Sequence, residues 1–259
     1  MEIVRKLLIY PFLETKNNLY KQNKKISFNS PLYLSIFFFI FINLTSINIT
    51  LSKQKLYYFT KLNLDSEITM SIFGIGQQEI LSREYRGVLP DKIYVDNIYS
   101  NEKSKLVNII DKNENIIKMV WNSPIKTCRC MFKDLSNIIG IDFTKFDSSL
   151  VTDMYLMFNG CYSLTSINFN NFNTSKVTNM ESMFYNCSLL TSLDLNYFDT
   201  SSVTNMIGMF HKCISLQNLK VDYFNTSSVN DMNALFYNCK SLISLDLSSF
   251  DTSLVTNMF

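Results

Sequence analysis

From Thr127 onward the same residue types return every 26 positions. Phe132, Phe158, Phe184, Phe210 and Phe236 form one column, preceded by Met131, Met157, Met183, Met209 and Leu235. Cys161, Cys187, Cys213 and Cys239 form a second, and Phe146, Phe172, Phe198, Phe224 and Phe250 a third. Val151, Val177, Val203, Val229 and Val255 form a fourth. Coincident columns at one interval narrow the possible folds more than composition does. A fixed period of about 20 to 50 residues belongs to stacked arrays, in which each unit buries its apolar face only against its neighbours.

Within a unit the pieces have separate physical readings. The stretches LTSINF, LTSLDL, LQNLKV and LISLDL begin at Leu164, Leu190, Leu216 and Leu242. Apolar residues two apart, such as Leu193 and Leu195, share one strand face, so Ser192, Asp194 and Asn196 take the other. The outward set predicted in this way is Ser166, Asn168, Asn170, Ser192, Asp194, Asn196, Asn218, Lys220, Asp222, Ser244, Asp246 and Ser248. After the turn-forming FDTS or FNTS comes VTNMxxMF, whose Val177, Met180, Met183 and Phe184 are spaced i, i+3, i+6, i+7. That spacing predicts a short helix, with Thr178 and Glu181 as a capping box. The expected fold class is an α/β repeat, a leucine-rich-repeat solenoid. Its short parallel strands would line the concave face and its short helices the convex face.

FDTSSVTNM, MFYNC and SLTSLDLNYFDTS resemble the BspA-like leucine-rich-repeat surface proteins, also described as the bacterial surface protein 26-residue repeat and found in bacteria and in protists such as ciliates. The similarity runs from about Trp121 to Phe259. WNSPIKTCRCMF looks like a degenerate first unit, with Cys128 where later units have Met. EITMSIFGIGQQEIL and DKIYV look like the leader that protist members place before the array. The resemblance implies a secreted or surface-displayed protein used in adhesion or recognition. It carries no catalytic residues to transfer.

Upstream of the repeats, residues 1–30 hold Arg5, Lys6, Lys16, Lys21, Lys24 and Lys25 against Glu2 and Glu14. Residues 31–51, PLYLSIFFFIFINLTSINITL, contain no charge. Their full length suits a retained signal anchor, their densest part suits a cleaved signal peptide, and a buried core segment is the third reading. Either membrane reading holds the basic leader in the cytoplasm and sends the rest across. On that basis the protein is expected at a membrane or cell surface or outside the cell. Asn173, Asn186 and Asn225, each in an Asn-x-Ser/Thr triplet, are then candidate glycosylation sites. Residues 52–123 lack a strict period and read as a β-rich N-terminal cap, and 124–259 as the repeats, with the last incomplete.

Charge and residue usage bear on function. A formal net charge of +2, with basic residues not gathered into a patch interleaved with aromatics, argues against nucleic acid as a partner. A single histidine, His211, argues against catalysis and is expected to face solvent. The cysteine column reads as buried free thiols, and no metal or other cofactor is expected. The residues thus point to a non-catalytic protein presenting a recognition face to a protein or glycan ligand, attached to the membrane through residues 31–51. An intracellular scaffold mediating protein–protein contacts is the alternative.

Overall fold

Residues Ser66–Phe73 alternate between core and outside, with Ile68, Met70 and Ile72 buried, and that period of two makes them a strand, β1. The computed structural model describes residues 65–101, 103–110 and 114–258, all within one unit, Asn63–Phe259. After β1 come β2 (Gly76–Glu79), β3 (Lys92–Val95), β4 (Ile98–Ser100), β5 (Leu106–Ile109) and β6 (Glu114–Trp121). Then follow β7 (Ile138–Lys145), β8 (Ser166–Asn168), β9 (Ser192–Asp194) and β10 (Asn218–Lys220). The main sheet has the order β4-β3-β6-β1-β7-β8. A separate pair, β2 and β5, is antiparallel from Gly76↔Ile109 to Glu79↔Leu106.

Strand β7 belongs to both halves of this arrangement. On one side it runs antiparallel to β1, with bulges that shift the register; on the other it runs parallel to β8, Gly140↔Ser166 through Asp142↔Asn168. The three strands approach closely at Gly140, where a Cβ would lie 2.9 Å from Ser166 Oγ and 3.2 Å from Ser71 Oγ. A side chain there would force the two serine hydroxyls to rotate away. The parallel row continues as β9 and β10, Ser192↔Asn218 to Lys220↔Asp194, and then to Ser244 by a single bridge. Trp121 pins the joint: it is fully buried, its Nε1 donates to Val88 O at 2.8 Å, and its ring meets Phe146 edge-on at 6.1 Å.

From residue 124 the chain is a stack of rungs held by its columns. Phe132, Phe158, Phe184, Phe210 and Phe236 stack at successive centroid distances of 5.6, 5.4, 5.8 and 5.5 Å. Phe146, Phe172 and Phe198 stack likewise at 5.8 and 5.9 Å. Val151, Val177, Val203 and Val229 are buried, as are Met154, Met180 and Met206. Buried hydroxyls tie rung to rung as well: Thr174 Oγ1 donates to Asp199 O at 2.9 Å, Thr200 Oγ1 to Asn225 O at 2.9 Å and Thr226 Oγ1 to Asp251 O at 2.8 Å.

The helix expected in each unit is absent, which corrects the fold class: the described residues form strands and turns, and no helix decorates a convex face. The reason is in the backbone. Cys130, Leu156, Ser182, Gly208 and Ala234 all have φ between 53° and 56°, and so do Asp134, Gly160, Asn186, Lys212 and Asn238 between 61° and 75°. Two left-handed residues four apart cannot lie in a right-handed helix. Instead alternate amides reach the next rung: Met180 N to Asn205 O at 3.0 Å, Ser182 N to Ile207 O at 2.8 Å, Phe184 N to Met209 O at 2.9 Å and Asn186 N to His211 O at 2.8 Å. The amides between them close turns, Met183 N to Met180 O and Tyr185 N to Ser182 O, both at 3.2 Å. The capping box fails with the helix. Asn179 Oδ1 accepts from Glu181 N at 2.9 Å, and Glu181 Oε2 accepts from Asn205 Nδ2 of the following rung at 2.9 Å.

The expectation of a membrane-bound surface protein is corrected too. Among the described residues no helix is long and apolar enough to cross a membrane. Residues 1–30 and 31–51, on which the leader, anchor and signal readings fall, lie outside the described residues.

Candidate ligand-binding surface

The twelve outward residues fall into three rows across four rungs. Ser166, Ser192, Asn218 and Ser244 form the first row, all exposed. Asn168, Asp194, Lys220 and Asp246 form the second, and Asn170, Asn196, Asp222 and Ser248 the third; here Asn168 and Asn196 are half-buried and the others exposed. The inward neighbours Leu193, Leu195, Leu219 and Val221 are buried, so strand alternation alone orients the rows.

Local hydrogen bonds fix the second row. Asn168, Asp194 and Asp246 accept through Oδ1 from the amide two residues on, at 3.1, 3.1 and 2.8 Å, which is an Asx turn. Lys220 cannot accept, and its rung is tied differently: Asp222 N donates to Asn196 Oδ1 and Asn196 Nδ2 to Asp222 Oδ2, both at 3.0 Å. Lys220 Nζ meets Asp194 Oδ2 at 2.7 Å. The Lys220 hydrogen bond holds the Asp194 carboxyl below its ordinary value, and the same contact raises Lys220. The opposite charges at this one repeat position in adjacent rungs therefore satisfy each other.

Two tyrosines add to this surface and escape the strand pattern. Tyr197 and Tyr223, one rung apart, are 72% and 74% exposed. The corresponding positions in other rungs are Lys145, Asn171 and Ser249. The signal available in the sequence is an aromatic residue in an otherwise polar turn column. Tyr197 closes a shallow depression with Asn170, Asn171, Phe172 and Asn173. Asn171 Nδ2 is engaged with Thr144 O at 3.4 Å, and Asn173 Oδ1 accepts from Ser175 N at 2.9 Å and Ser175 Oγ at 2.8 Å.

The glycosylation candidates lie in two settings. Asn173 and Asn225 are exposed, each with Oδ1 capping the serine two residues on. Asn186 is half-buried at a left-handed turn position, φ 61°.

The sulfur and histidine groups lie in the stack, away from the polar rows. Cys161, Cys187, Cys213 and Cys239 donate their thiols to the carbonyl oxygens of Phe132, Phe158, Phe184 and Phe210, at 3.1, 3.3, 3.1 and 2.9 Å. Burial pushes every one of these thiols up, Cys239 to about 11. His211, expected to face solvent, is half-buried: its ring lies between Tyr185 at 4.7 Å and Tyr237 at 4.9 Å, with Nε2 buried and unpaired. Burial, and secondarily the neighbouring Lys212 cation, lowers its pKa. Among the described residues no group of three or more His, Cys, Asp or Glu side chains could hold a metal ion.

The profile of the family described as "Mycoplasma protein of unknown function, DUF285" matches residues 103–193 and again 190–259. The chain belongs to this family. That result corrects the resemblance to BspA-like leucine-rich repeats, because no leucine-rich-repeat family is identified over the same residues. No curated protein and no solved structure matches the chain. The DUF285 matches start within the β-rich segment and run through the repeats, and the family's description assigns no activity.

Proposed function

We propose that this DUF285 member is a non-catalytic binding protein whose three polar rows recognise a protein or glycan ligand. The observation that carries this reading is the combination of constant backbone and variable side chain. Each rung presents its outward residues at the same register, while their identities vary among Ser, Asn, Asp and Lys. Stacked repeats offer ligands extended surfaces of this kind. The groups that would otherwise suggest chemistry are committed to structure, the thiols to carbonyl oxygens and the Asx carboxyls to turn amides.

The test exchanges one pair of charges. Full-length chain is screened on arrays of glycans and purified proteins beside the double variant Asp194→Lys, Lys220→Asp, which keeps the ion pair and the net charge. A ligand that reads the rows is bound at least about tenfold more weakly by the variant. Equal binding of every ligand by both proteins, or no ligand for either, would rule the reading out.

A further inference from the structure

The depression beside Tyr197 differs from the rest of the polar surface in its chemistry. Resting on the reading that the strand rows are a recognition surface, we infer that Tyr197 and Tyr223, with the carboxamides of Asn170 and Asn173, form a subsite for an unbranched, uncharged oligosaccharide lying along the stack.

Four observations converge on that ligand class. First, every phenylalanine column is packed inside, yet two adjacent rungs hold an aromatic ring outside, nearly three-quarters exposed. Exposed tyrosine offers a flat apolar face and a polar tip at little cost in side-chain entropy, which suits a pyranose whose ring faces carry C–H groups and whose rim carries hydroxyls. Second, the polar side chains that line the depression with Tyr197 are carboxamides, which both donate and accept and so match hydroxyls, which do the same. Asn170 and Asn173 are exposed, and Asn173 engages its Oδ1 with Ser175, a contact that does not use its Nδ2. Third, the one cation on the adjoining rows, Lys220, is neutralised by Asp194 at 2.7 Å, so an acidic sugar would gain little here. Fourth, the depression is shallow and the second tyrosine lies one rung further along, so the surface fits a chain crossing successive rungs better than an enclosed small molecule.

The experiment is calorimetric titration of the full chain with cellohexaose, chitohexaose and maltohexaose in turn. At least one binds, and Tyr197→Ala weakens it by about tenfold or more, Tyr223→Ala by about threefold, while Tyr197→Phe stays within about twofold. Both tyrosines are exposed, so the alanine variants keep the fold, which an unchanged thermal midpoint verifies. Absence of heat with all three sugars up to about 10 mM, a range in which even weak sites register, overturns the inference. Binding that Tyr197→Ala and Tyr223→Ala leave unchanged overturns it too. If the sugars fail but an arrayed ligand still responds to the Asp194 and Lys220 exchange, the oligosaccharide assignment falls while recognition by the rows stands; if both fail, both fall.

Discussion

The segment 65–121 and the stack from residue 124 onward are both built of strands, yet they set register in different ways. In the first, β1 and β6 pair over eight residues, Ser66↔Trp121 to Phe73↔Glu114, and alternation of buried and exposed side chains fixes the pairing. In the stack β8, β9 and β10 are three residues each, so alternation turns the polar rows outward but is too short to fix the register. There the register comes from like meeting like: Phe on Phe, Thr hydroxyl on the next carbonyl, thiol on carbonyl, at offsets that repeat down the array. The comparison teaches that backbone hydrogen bonding can run mostly between rungs when side-chain columns already hold the rungs in line.

The largest effect that separates the two regions is expected from alkaline pH. All six cysteines lie between Cys128 and Cys239, none in 65–121. Cys128, Cys161, Cys187 and Cys213 are buried, with folded pKa values raised above the ordinary thiol value of 9.0. A raised folded value stabilises the protein fully below the unfolded pKa, and that stability is lost as pH climbs toward the folded one. Each such thiol then costs up to about 1.4 kcal/mol for every pH unit above 9. Buried Tyr85 places a similar cost on the first region, but mainly above the ordinary tyrosine value of 10.0. Urea midpoints should therefore fall steeply from pH 9 to 10, with Phe184 and Phe210 amides losing hydrogen-exchange protection before those of β1 and β6. Equal loss in both regions would remove the distinction. Cys239, at about 11 and half-buried, should be the first thiol in the column to react with iodoacetamide.

Trp121→Ala is next. The indole is buried, hydrogen-bonded to Val88 and set against Phe146, so it joins the long-strand region to the first rung. Its removal should cost about 3–5 kcal/mol by chemical denaturation. Exchange protection should drop on both sides of the joint, in β6 and at Phe158. Loss confined to one side would mean that β7, which pairs with β1 on one edge and β8 on the other, couples the two regions less than its hydrogen bonds imply.

Thr200→Val tests the polar links within the stack. The hydroxyl donates to Asn225 O at 2.9 Å and accepts from Asn225 N at 2.8 Å, and the side chain is buried. Valine keeps the shape and leaves both partners unpaired, at a cost of about 1–3 kcal/mol. A change within error would show that the phenylalanine and valine columns alone hold the rungs.

How far the sequence discloses this design follows from the same contrast. Columns of one residue type are visible because stacking requires identity, so the inward Phe, Met, Val and Cys positions and the outward rows can be read directly. The turns are harder. Val177, Met180, Met183, Phe184, Cys187 and Leu190 are all buried, and their first four members satisfy a helical spacing. Continued, however, the steps are threes with one slip, which suits a chain of turns better than 3.6 residues per turn. A second clue is the column Asp134, Gly160, Asn186 and Asn238, composed of types that tolerate positive φ, with Lys212 disguising it. The depression at Tyr197 joins neighbouring rungs, so it is legible only once the rungs are stacked.

The smallest expected effect concerns that turn chemistry. Ser182 sits at φ 53° in the column where the next rung has Gly208 at φ 56°. A side chain in the left-handed region costs roughly 1–2 kcal/mol, while glycine adds chain entropy to the unfolded state worth roughly 0.4–1 kcal/mol. Ser182→Gly should therefore stabilise the protein by about 0.5 kcal/mol, seen as a small rise in the urea midpoint at unchanged slope. The equivalent exchange in a strand of the first region, Ser71→Gly in β1, has no positive φ to relieve and should destabilise. Opposite signs for the same substitution would show that the rungs are built on left-handed turns and the first region on extended pairing; a matching sign in both would sink that account of the missing helices.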